Sequence, residues 1–191
     1  MNVFDKKKIN WKRAAKNLRR AADRLEKSGW VNGDLEKNGS FCAIGAISYA
    51  ITGKAITADD YQSEKFPDLD AYGIDCDVDD DPGEAEERAK AKKLHFEMVE
   101  AEYLLVKALD RLGEVDGCGA DLSGHNLENV IAGWNDNENK YQIGDRYYPG
   151  DTQEKIDEQR EAGKKRVCAG LRKAADLAMK EYDKKKELVT A

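Results

Sequence analysis

Long apolar runs are missing. No stretch approaches the roughly 18 successive apolar residues of a membrane span, and the opening MNVFDKKKINWKR has no signal-peptide core. A protein without membrane segments is expected. Cysteine is sparse and scattered: Cys42, Cys76, Cys118 and Cys168 form no CxxC or other ligand-like spacing, so a clustered-thiol metal site is excluded and reduced thiols in a bacterial cytoplasm are expected. Only two histidines, His95 and His125, offer an imidazole. Basic residues are absent from DLDAYGIDCDVDDDPGEAEE, residues 68–87, which carries ten carboxylates. Because the net charge of -6 sits in that one block, a protein imitating the surface of DNA is poorly matched, and the block reads as a solvated loop inserted over residues 67–83.

Present instead is helical periodicity. Charged residues make up 37% of the chain, as wide solvated helix faces require. In INWKRAAKNLRRAADRLEKSG, Asn10 is placed to cap a helix, Trp11, Ala14, Ala15, Leu18, Ala22 and Leu25 recur on one face, and Gly29 closes it. Its other face is basic, most simply a solvated surface. The two Asn-Gly pairs of WVNGDLEKNG predict a tight hairpin or loop. Ser40 is then positioned to cap an almost wholly apolar helix to Thr52, stopped by Gly53 and buried on most sides.

The longest helix opens at Asp81-Pro82 and runs to Leu112, its charged first half projecting and its apolar second half packing. A glycine-containing connection, in which His125 falls, leads to the short helical stretch LENVIAG and to Trp134-Asn135-Asp136. Residues 137–151 alternate around Gly144-Asp145 as an inserted hairpin. Thr152 caps a last helix, with a break near Gly163 and a fraying tail over 183–191. These elements predict one mainly α domain: a compact bundle around the buried central helix, carrying an acidic loop and a small β-hairpin insertion.

Chemistry concentrates at Cys42. A thiol in a first helical turn feels unpaired N–H groups and the positive end of the helix dipole, both favouring thiolate. His125 as base, with Asn135 or Asp136 orienting it, completes a thiol hydrolase in Cys, His, Asn order. Against this, the glycine and aromatic signature that makes such cysteines specific is missing around Cys42, where a small packed side chain is the commoner role. Trp30, Cys42, Trp134, Asn135 and Asp136 are also candidates to line a ligand or partner pocket.

The acidic loop offers Asp68, Asp70, Asp75, Asp77 and Asp79 as oxygen donors. Tyr72 and Asp79 break the calcium-loop pattern, so no metal site and no cofactor are assigned. In the second insertion Tyr141, Arg146, Tyr147 and Tyr148 form a contact surface suited to a protein partner. Nucleic acid is disfavoured because no basic recognition motif accompanies them.

Taken together, LRRAADRLEKSGWVNG, CAIGAI, IAGWND and VCAGLRKAADLA resemble an uncharacterised domain family of actinobacteria and their phages. The shared pattern is Gly-Trp, then Cys-Ala-x-Gly-Ala, then Trp-Asn-Asp. The matching positions are Trp30, Gly33, Cys42, Ala43, Gly45, Ala46, Trp134, Asn135 and Asp136, with no histidine to match His125. The resemblance implies a noncatalytic phage or prophage accessory protein that binds a host or virion protein. The thiol hydrolase is the alternative. A virion structural component is a third reading.

Overall fold

The computed structural model describes residues 9–31, 33–55, 82–115, 124–136 and 152–190. The acidic stretch 67–81, with its calcium-loop pattern, and the stretch 137–151, with Tyr141, Arg146, Tyr147 and Tyr148, lie outside the described residues. So do Cys76 and Cys118.

Helix α1 (Trp11–Ser28) forms where the periodicity places it. The Asn10 side chain accepts from the Arg13 N–H, and Gly29 closes the helix at φ 101°. Trp11, Ala14, Ala15, Leu18, Ala22 and Leu25 are all buried. A two-stranded antiparallel hairpin follows, β1 (Glu36–Lys37) and β2 (Ser40–Phe41). Its turn residues Asn38 and Gly39 both have positive φ, 54° and 82°, as a tight primed turn demands.

That hairpin shifts the start of the next helix. Ser40, expected to cap it, is held in β2 and its hydroxyl donates to the Ser28 carbonyl. Helix α2 (Ala43–Thr52) therefore begins after Cys42, and Cys42 is its N-cap. Gly53, at φ 75°, ends it. Of its ten residues, Ala43 to Ser48 and Ala50 are buried, and the bundle closes around it through α1, α3 and α4.

Helix α3 (Pro82–Arg111) is solvated in its first half, where Glu86, Ala89, Lys90 and Lys93 are exposed. It packs from Met98 onward through Ala101, Leu104, Leu105, Ala108 and Leu109. Glu100, buried in the same half, accepts from the Asn10 N–H and the Arg13 guanidinium, fixing the start of α1 on α3. Helix α4 (Gly124–Asp136) is longer than LENVIAG alone, because Gly124, His125 and Asn126 join its first turn and Trp-Asn-Asp its last.

Helix α5 (Gln153–Thr190) begins after Thr152, whose hydroxyl accepts from the Lys155 N–H. It makes its broadest contact with α1. Two expectations fail on this helix. It is continuous through Gly163, and residues 183–190 continue as helix instead of fraying. Among the described residues no helix is long and apolar enough to cross a membrane.

Candidate functional site

The family-pattern residues do converge, and Asn135 is their hub. At the end of α4 its Oδ1 accepts from the Trp30 indole at 2.9 Å and from the Ala43 backbone N–H at 3.0 Å. Its Nδ2 donates to the Val31 carbonyl at 3.2 Å and to Asp136 Oδ1 at 2.8 Å. An amide side chain has two acceptor sites and two donor hydrogens. All four are engaged inside the fold. Asp136 Oδ1 also accepts from the Gly33 N–H at 3.1 Å, tying the turn after Trp30 to the same helix end.

Both tryptophans rest on glycines of α5. A Cβ built at Gly163 would meet the Trp30 ring, and one at Gly170 the Trp134 ring, each under 3.0 Å. These glycines stand seven residues apart, two helical turns, so they face the same way. Arg166 lies between them. Its guanidinium donates to the last carbonyls of α4, Trp134 at 2.7 Å and Asn135 at 3.0 Å, and stacks 5.1 Å from the Trp134 ring centroid. Carbonyls at a helix C-terminus have no intrahelical partner, and a cation there also complements the dipole. Burial lowers the Arg166 pKa, opposed by the charges of Glu114 and Asp136. The Trp134 indole donates to Glu114 at 3.3 Å.

At the other end of this cluster, the N-terminus of α2 is already filled. Cys42 Sγ accepts from the Gly45 N–H at 3.3 Å, and Asn135 takes the Ala43 N–H. The Cys42 N–H donates to the Leu35 carbonyl at 3.2 Å. Gly45 is required by that same loop, because a Cβ there would strike the Leu35 carbonyl. The expectation that small residues at 45 and 46 admit a neighbouring helix is therefore corrected at Gly45: a loop carbonyl approaches it.

The thiolate expectation is corrected too. Burial pushes the Cys42 thiol up to about 11, outweighing the hydrogen bonds from backbone N–H groups that lower it. At neutral pH the sulfur is a protonated, 6% exposed cap. His125 stands in the first turn of α4, and its side chain is outside what the structure describes. Asn135 has no hydrogen-bonding capacity left with which to orient an imidazole.

Gly163, Arg166 and Gly170 were not singled out by sequence reasoning. The available signal was their common face on a helix that otherwise has little reason to carry glycine. The basic face of α1 is partly absorbed: Arg13 pairs with Glu97 and Glu100, Arg19 with Asp176, and Arg24 stacks on Phe41 and Tyr49. Among the described residues no group of three His, Cys, Asp or Glu could hold a metal ion.

Residues 10–142 match the family of unknown function DUF6197. The chain belongs to DUF6197. No curated protein and no solved structure matches it. The DUF6197 match takes in α1 to α4, with Trp30, Cys42, Trp134, Asn135 and Asp136, and stops before α5. The glycine seats and Arg166 thus lie outside the matched span of the family.

Proposed function

We propose that this member of DUF6197 is a noncatalytic phage or prophage accessory protein that binds a host or virion protein in the bacterial cytoplasm. The observation carrying this reading is the complete internal use of Asn135, together with the capped, protonated sulfur of Cys42. The residues that look most like a site hold the hairpin, α2, α4 and α5 in register, and contact with a partner falls to the outer surface. The tyrosine-rich stretch 137–151 remains a proposed part of that surface. Phage origin is supported by the resemblance of the Gly-Trp, Cys-Ala-x-Gly-Ala and Trp-Asn-Asp stretches to a family of actinobacteria and their phages.

Crosslinking of the tagged protein in its producing cell, followed by mass spectrometry, tests the reading. One protein is expected to be captured stoichiometrically, and capture is expected to survive Cys42→Ala. Hydrolytic turnover that disappears in Cys42→Ala would overturn it in favour of the thiol hydrolase.

A further inference from the structure

Away from the Asn135 cluster, a shallow cleft opens where the start of α1 meets the last turns of α3 and the second half of α5. It encloses about 220 Å³, open solvent included, and is floored by Trp11, Leu104, Leu177 and alanines of α3 and α5. That is below the roughly 300 Å³ at which small-molecule pockets begin. The space suits one side chain.

Its rim carries an excess of positive charge. The Lys107 ammonium lies 5.7 Å, and that of Lys185 5.1 Å, from the Trp11 ring centroid. Neither meets a carboxylate among the described residues. The Arg111 guanidinium lines the same cleft and is paired with Glu181 at 3.4 Å. Three cations thus face one carboxylate. A second, independent observation is the Trp11 indole nitrogen: the residue is 8% exposed, and its N–H has no acceptor among the described residues. Buried donors are normally satisfied, and an unmet one costs about 1–3 kcal/mol. An apolar floor, an unmet N–H and two ammonium groups on one ring call for an apolar group with an anion directly attached.

We infer that this cleft takes the C-terminal residue of a protein partner, its apolar side chain on Leu104 and Leu177 and its terminal carboxylate between Lys107, Lys185 and the Trp11 indole. The inference rests on the protein-binding reading above and names the feature of the partner that is recognised. A carboxylate there replaces the repulsion between two neighbouring ammonium groups with two charge-assisted contacts.

The test follows the Trp11 indole N–H resonance, assigned with Trp11→Phe, while the full chain is titrated with the peptide Ac-Gly-Ser-Gly-Leu as its free acid or its C-terminal amide. A saturable shift is expected with the acid, weaker by about tenfold or more with the amide and in Lys107→Gln/Lys185→Gln. The Trp30 and Trp134 resonances should stay in place, which reports that the double variant is folded. No saturable shift, or equal binding of acid and amide, overturns the inference. The same shift with inorganic phosphate makes this a bare anion site and overturns it too. So does a shift that tracks protein concentration without peptide, since a second copy is then the occupant. If the peptide fails while crosslinking in cells still captures a partner, the cleft assignment alone falls. If the peptide binds and crosslinking captures nothing, the proposed function falls and the cleft stands.

Discussion

The Trp30 indole donates to Asn135 Oδ1 across 105 positions of sequence, at 2.9 Å and away from solvent. That bond joins the end of α1 to the end of α4, and Asn135 extends it to the first N–H of α2. Truncation by Asn135→Ala leaves the Trp30 and Ala43 donors and the Val31 carbonyl without partners. Each unmet buried group costs about 1–3 kcal/mol and the losses are not additive, so a loss of about 3 kcal/mol or more is expected. Urea unfolding monitored by tryptophan fluorescence measures it. A loss within ordinary surface-substitution scatter would show that Asn135 is not the hub.

The two glycine seats on α5 give a prediction opposite in sign to helix propensity. Alanine is favoured over glycine in a helix interior by about 0.8–1 kcal/mol. Gly163→Ala and Gly170→Ala nevertheless should destabilise, by about 1–3 kcal/mol each, because the new methyl meets an indole ring. Removing the ring as well, in Gly163→Ala/Trp30→Ala, should cost less than the sum of the two single changes. Thermal unfolding that shows both glycine variants stabilised contradicts the seating of the tryptophans.

Glu102 carries a pH dependence. It is 1% exposed, one of its oxygens has no partner among the described residues, and burial, then the charge of Glu128, raises its pKa well above the ordinary carboxyl value. The folded state therefore holds the proton more tightly than the unfolded chain does. This contribution is fully present below the unfolded carboxyl value of about 4.3 and is lost as pH rises through the raised folded value. In Glu102→Gln that part of the slope should vanish, leaving the variant more stable than the parent at the alkaline end. Urea midpoints across pH for both proteins decide it, and parallel curves would contradict it.

Local signals in the sequence were enough for much of this fold. Asn10, Gly29, Asn38-Gly39, Gly53 and Thr152 each terminate or turn an element through their own backbone or side chain, so each could be read where it stands. Ser40 misled because capping preference is local while its real partner, the Ser28 carbonyl, lies across the hairpin. Gly163 read as a helix break because a glycine alone gives no sign of the ring that will lie on it. Trp30, Cys42, Trp134, Asn135 and Asp136 were found as a group through their pattern, but their roles were set by burial and by bonds between distant segments. Arg166 had no local mark at all; its partners are carbonyls of another helix.

Alkylation of Cys42 by iodoacetamide in the folded protein at neutral pH bears most directly on the claim that this cluster is architecture. With the sulfur buried, accepting from Gly45 and protonated up to about pH 11, modification should proceed only as fast as the protein unfolds. Mild urea should therefore accelerate it in step with unfolding, and stabilising conditions should suppress it. Rapid, stoichiometric modification of Cys42 in protein that keeps its native circular dichroism would contradict the account.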